Sequence, residues 1–319
     1  MHSQLASGVA LAMTAVVVWG AQFPIAKSAF AFVDPYHVSA IRYVLGTALL
    51  VPLVAGLQGR QALRYYGRLW PASLIGFIGM TGSPLLVFAG LSLIGPEHTA
   101  IIISLQPSMT AIADWLVRGR RPARFTLACI AAAFVGVVMV VTRGGAAMAP
   151  GRGEWLGDFL VLAGALCWVV YTMGTELFRG WSTLKLTVLT LIPGSIGMIL
   201  VTAALVPFNV AKVPSWNEVE AVSGHLAFLA VIGVAAAFLC WNAGIRRIGA
   251  LNGMLMLNLI PVVTFTIGYL QGRRFVASEL IGAAMVIGAL AANNLYLRSV
   301  TRAAAARAAA IGDNRPRPT

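Results

Sequence analysis

Acidic side chains are scarce in this sequence: ten Asp and Glu stand against 23 Lys and Arg in 319 residues. Charged residues of both signs make up 10 % of the chain, where a soluble domain carries roughly a quarter. Cysteine is rarer still. Cys129, Cys167 and Cys240 all lie inside apolar runs, where a thiol packs as a small hydrophobe, which excludes a disulfide scaffold. Catalytic signatures are missing as well. There is no Gly-x-Ser-x-Gly elbow, no Gly-rich loop closing on Gly-Lys-Ser/Thr, and no metal-spaced pair among His2, His37, His98 and His225. These absences argue against an enzyme, a bound cofactor or a metal centre. The histidines fall at span ends or termini and are expected to be wet.

What the chain has instead is apolar residues, 59 % of the total, with a mean hydropathy of +0.84. A soluble globule cannot bury that much apolar surface, so the bilayer is the solvent that fits. A spanning helix needs about 20 mostly apolar residues. Ten stretches qualify, approximately Leu5–Phe32, Tyr36–Leu57, Leu69–Ile94, Thr99–Val117, Arg124–Val141, Asp158–Phe178, Leu186–Val206, His225–Gly244, Ala250–Leu270 and Ala277–Leu297. Breakers such as Asp34-Pro35, Gly95-Pro96 and Gly119-Arg120-Arg121-Pro122 separate them. With both termini cytoplasmic, sixteen Lys and Arg fall on the inside and five outside, with Lys27 and Arg42 within spans. That split obeys the positive-inside rule, with Arg273-Arg274 as the local exception. The net charge of +13 therefore reads as topology, not as affinity for nucleic acid.

A shift of about 154 residues lays Phe88-Ala89-Gly90, Gly95 and Leu105-x-Pro107 over Asn242-Ala243-Gly244, Gly249 and Leu259-x-Pro261. One residue of slip later, Gly119-Arg120-Arg121 matches Gly272-Arg273-Arg274, and in the opening helices Trp19 falls over Trp168. The expected organisation is a first five-helix repeat over 1–146, a second over 147–297 and a basic tail over 298–319. Because five is odd, the second repeat enters the bilayer inverted. The fold class is thus all-α integral membrane, ten helices in two inverted five-helix repeats. In secondary transporters this architecture puts the substrate site near the midplane, between the halves.

Trp19-Gly20-x-x-Phe23-x-x-x-Lys27, Arg42, Pro107, Gly157-Asp158 and Pro261 together resemble the drug/metabolite transporter superfamily, and within it the ten-helix group with paired EamA-type domains. Many relatives carry Gly-Glu after helices four and nine, where this chain has Arg120 and Arg273. The resemblance is greatest to bacterial amino-acid and aromatic-amino-acid exporters. It implies an inner-membrane carrier that moves amino acids, aromatic and other neutral ones, out of the cytoplasm. An exporter of drugs or other neutral metabolites on the same fold is the alternative, and a non-transporting membrane scaffold is a second. One chain supplies both halves, so no obligatory protein partner is implied and a monomer suffices; the partners are a small substrate and the lipid bilayer.

No charged side chain is expected at the middle of any span, which disfavours phosphorylated cargo and tight proton coupling through a buried carboxylate. Candidate substrate-binding residues are therefore amides, hydroxyls and aromatics: Trp19 and Gln22 in helix one, Ser83 in helix three, Ser104 and Gln106 in helix four, and Trp168 and Tyr171 in helix six. Trp241 and Asn242 in helix eight and Asn252 and Asn258 in helix nine face them from the second half. Pro107 and Pro261 are candidate hinges. Lys27 is expected either to snorkel or to gate, with Glu176 as its mirror-related partner. Arg42, six residues into helix two, is expected to cap carbonyls or to pair with Asp34. Asp114 precedes Arg118 by four residues, the favourable order for a helical ion pair.

Overall fold

The computed structural model describes residues 2–142, 152–248 and 256–313. Ten helices form the body: α1 His2–Ala29, α2 Pro35–Gln58, α3 Leu69–Leu93, α4 Pro96–Arg118, α5 Arg124–Val141, α6 Arg152–Gly174, α7 Thr183–Leu205, α8 Ser223–Ile248, α9 Leu259–Leu270 and α10 Ala277–Asp313. Among the described residues, nine are long and apolar enough to cross a membrane, and α9 is a shorter apolar helix. The expected ninth span starts among residues 249–255, which lie outside the description together with Asn252, Arg143 and the boundary between the expected repeats. Residues 298–313, expected in the basic tail, continue α10. Their alanine-rich composition has high helix propensity, which explains the continuation.

Helix ends follow local chemistry. Asp34 caps α2 by accepting from the backbone N–H groups of Tyr36 and His37, both at 2.9 Å, with Pro35 pre-set for the first turn. Ser182 caps α7 by accepting from Lys185. Gly119 and Gly272, with φ of +70° and +85°, end α4 and α9, a geometry that disfavours any side chain.

The two halves interlock across a pseudo-two-fold relation. α1 packs on α8 and α9, and α6 packs on α3 and α4; α2 meets α7, α4 meets α9, and α5 meets α10. Close contacts repeat too. A Cβ at Gly90 in α3 would sit 2.5 Å from the Gly157 carbonyl of α6, and one at Gly244 in α8 would sit 2.8 Å from the Ala12 nitrogen of α1. Hydrocarbon gives helices little hydrophobic reason to associate, so backbones approach where side chains are smallest. Even the irregularities match: α3 runs as a π-helix over Phe77–Gly82 and α8 over Phe228–Ala236. Taking α9 as a crossing with the nine longer helices puts the start of α1 and the end of α10 on one face, called here the terminal face.

Candidate functional site

The π-helical segments position the centre. In α8 the Gly233 carbonyl accepts a hydrogen bond from the Trp19 indole at 3.2 Å. The Trp19 ring then lies 5.3 Å from Trp241 and 5.8 Å from Phe238, a tilted and an edge-on contact. The other half repeats the plan: Tyr171 on α6 lies against Gly79 within the α3 π-helical segment, with its ring 5.1 Å from Trp168. Its hydroxyl is 3.3 Å from that of Thr190 in α7. Tyr43, Met80, Tyr171 and Leu191 share one core cluster, and Trp168 and Phe238 pack against it. Trp19 with Trp241, and Trp168 with Tyr171, thus form two aromatic pairs, each at a contact between the halves, and Phe238 links the first pair to the core that holds the second. π-Helical turns inside α-helices are frequent at functional sites because they redirect side chains and loosen carbonyls.

Arg42, expected to cap carbonyls or to pair with Asp34, does neither among the described residues. Asp34 does not pair with it, because one carboxylate oxygen of Asp34 caps α2 and the other bonds His37 at 2.7 Å. Instead the guanidinium, two turns into α2, reaches Gln22 of α1 with Nη1 donating to Oε1 at 3.0 Å. It lies over the Phe88 ring at 3.8 Å and near Tyr43 at 5.0 Å. Arg42 is 4 % exposed, its Nε is buried without a hydrogen bond, and no carboxylate pairs with it among the described residues. A desolvated cation–π contact contributes about 2 kcal/mol and a hydrogen bond to a charged group about 2 kcal/mol. Burying a lone charge still costs several kcal/mol beyond relaxation.

The remaining expected residues are more scattered. Ser83 is buried, and Ser104 turns its hydroxyl to the Ile101 carbonyl of its own helix. Gln106 and Pro107 follow a break in α4 at Leu105, whose N–H bonds Ile102, and both are half-buried. Asn242 donates to the Phe238 carbonyl at 2.7 Å while its Oδ1 is buried and unpartnered. Asn258, just before α9, buries an unpartnered Nδ2, and Pro261 is buried in that helix's first turn.

Charge concentrates at the two faces. Lys27 donates to the carbonyls of Leu91, Ser92 and Ile94 at 2.7–3.0 Å, so its ammonium closes the C-terminal end of α3 within its own half. Glu176, just past α6, takes both prongs of Arg118 at 2.8 and 3.0 Å. Arg118 also holds Asp114 at 2.9 Å, and Arg179 stands 4.0 Å from Glu176. On the opposite face Arg273 pairs with Glu97 of α4 and with Glu279 of α10. Arg273, half of the apparent exception to the charge rule, is therefore neutralised by two acids. His98, expected to be wet, is 4 % exposed, with Nε2 3.7 Å from Glu279. Both oxygens of Asp158 are buried without hydrogen-bond partners. Arg118–Glu176 and Arg273–Glu97 each join the first half to the second. The sequence signals for the missed groups were a lone charge inside a span at Arg42 and a basic pair on the wrong side at Arg273. No group of side chains suited to a metal occurs among the described residues.

A profile of the EamA-like transporter family matches residues 6–142 and again 155–312. The chain belongs to that family. The uncharacterized transporter YrdR of Bacillus subtilis (strain 168) is 33 % identical over 299 residues, covering 92 % of this chain and 93 % of that protein. The uncharacterized transporter YyaM of the same organism is 29 % identical over 278 residues, covering 86 % and 90 %. A solved crystal structure with no functional description overlays with a TM-score of 0.62 at 22 % identity, covering 90 % of this chain and 97 % of that one, a likeness of fold alone. The double family match coincides with the two interlocked halves. This EamA-like chain is a multi-pass membrane transporter.

Proposed function

We propose that this EamA-like protein is an alternating-access exporter of amino acids, aromatic and other neutral ones, in a bacterial inner membrane. Its termini face the cytoplasm, a reading the charge asymmetry supports. The observation that carries the reading is the aromatic cluster at the junction of the halves: Trp19, Trp241 and Phe238 meet there, with Trp168 and Tyr171 packed on the same core. Aromatic faces beside amides and a guanidinium suit a small molecule with an apolar side chain and polar main-chain groups. The ion pairs Arg118–Glu176 and Arg273–Glu97 tie the halves together at opposite faces. Each must loosen when its face opens, with bending near Pro107 and Pro261. Cargo moves down its own gradient.

Counterflow of radiolabelled phenylalanine in proteoliposomes tests this. Internal unlabelled amino acids are expected to drive transient uptake, and Trp168→Ala or Gln22→Ala to reduce it by about tenfold or more. If a neutral drug or nucleobase drives counterflow and no amino acid does, the cargo assignment fails. Accumulation driven by an imposed pH gradient overturns the uncoupled mechanism. If folded protein supports no exchange of any kind, the carrier reading itself fails.

A further inference from the structure

The aromatic cluster does not explain Arg42. Its position is fixed from three sides. Gln22 of α1 holds Nη1, the guanidinium carbon stands over the Phe88 ring of α3, 3.8 Å from its centroid, and the Tyr43 ring is 5.0 Å away. This leaves the edge formed by Nε and Nη2, which makes no hydrogen bond among the described residues. Ser39, three residues earlier on the same side of α2, is fully buried, and its hydroxyl has no partner either. Two unsatisfied donors side by side inside a membrane protein are costly, and neither is needed to hold the helices together. A structural arginine at this depth pairs with an acid or with backbone carbonyls, and Arg42 does neither among the described residues. The two nearest acids along the chain, Asp34 and Glu97, are committed to the α2 cap with His37 and to Arg273.

We infer that Arg42, with Ser39 beside it, is the docking point for a carboxylate of the transported molecule. The free Nε–Nη2 edge is the planar fork that takes the two oxygens of a carboxylate side by side. The substrate would supply the missing counter-charge, and its apolar portion would then lie toward Trp19 and Phe238. Zwitterionic amino acids meet this requirement, and so do simple organic acids; cations and amides do not. The inference builds on the carrier reading above and narrows the cargo to molecules with a free carboxylate.

Three compounds of similar size separate the groups involved: phenylalanine, phenylalaninamide, which lacks the carboxylate, and 3-phenylpropionate, which lacks the amine. Each is offered as a competitor against labelled phenylalanine and against labelled 3-phenylpropionate, with wild-type protein in proteoliposomes. Loss of the carboxylate is expected to weaken competition by about tenfold or more, and loss of the amine by much less. In Arg42→Gln that preference should disappear, while Arg42→Lys, which keeps the charge without the fork, should retain part of it. Equal competition by phenylalaninamide in the wild type overturns the inference without any variant, so misfolding of Arg42→Gln cannot obscure the result. Amino-acid exchange with unchanged selectivity in Arg42→Gln overturns it too, and leaves the amino-acid carrier intact. If only 3-phenylpropionate exchanges, the anchor stands and the amino-acid assignment falls. If neither carboxylate exchanges, both fall.

Discussion

The α1–α2 contact in the first half and the α6–α7 contact in the second follow one plan with different chemistry. Gln22 and Tyr171 each stand three residues past the paired tryptophans, Trp19 and Trp168. Gln22 reaches across to a guanidinium on α2, whereas Tyr171 reaches a hydroxyl on α7. Around them the architecture is duplicated closely, down to π-helical segments in α3 and α8 and glycine contacts between α3 and α6 and between α8 and α1. Duplication accounts for the scaffold and for the way it interlocks, but it does not account for the single charge. On the anchor proposed above, one cationic half and one neutral half would orient an asymmetric molecule.

The duplicated scaffold can be broken in either half. Gly90→Leu and Gly244→Leu place a large side chain against the backbone of the opposing helix, and each should cost about 3 kcal/mol of stability or prevent folding. Similar losses in thermal or SDS unfolding would support equivalent interlocks, whereas a loss confined to one variant would show that one half alone holds the body. The asymmetric contact responds next. Gln22→Leu removes the one hydrogen bond of a buried guanidinium and should cost about 2 kcal/mol, against about 1 kcal/mol for Tyr171→Phe, which breaks a neutral bond. Equal costs would erase the distinction drawn between the halves. The two faces give a third contrast. Glu97 has a side chain 3 % exposed and Glu176 one 48 % exposed. Glu97→Gln should therefore lower stability by about 2 kcal/mol, since a buried charge-assisted bond is lost. Glu176→Gln, acting through an ion pair open to solvent and salt, should change the melting temperature least of all.

Much of this scaffold is legible in the sequence because its causes are local. Arg124–Val141 has the same limits in sequence and structure, since the breakers before it and the apolar run within it act on the chain directly. The repeat is legible because Gly90 and Gly244 answer the same demand for close helix contact in both halves. The site is harder to read. Arg42 sits close enough to the start of α2 to pass for a cap. Only the structure reveals that Asp34 has given its carboxylate to the Tyr36 and His37 amides and the His37 ring. His98 passes for a wet residue because nothing local indicates that the start of α10, with Glu279, covers it. The π-helical segments match in composition the apolar α-helical runs around them.

The central claim is that the halves rock about a shared centre, opening one face as the other closes. Spin labels at Val117 and Leu177, exposed near the Arg118–Glu176 pair, report on the terminal face. Labels at Phe32 and Leu270, both exposed at the other ends of α1 and α9, report on the opposite face. With Cys129, Cys167 and Cys240 replaced, double electron–electron resonance in lipid discs with and without phenylalanine gives both distances. The account predicts that one distance distribution lengthens as the other shortens. Two distributions that stay fixed, or that widen together while exchange is active, would contradict it.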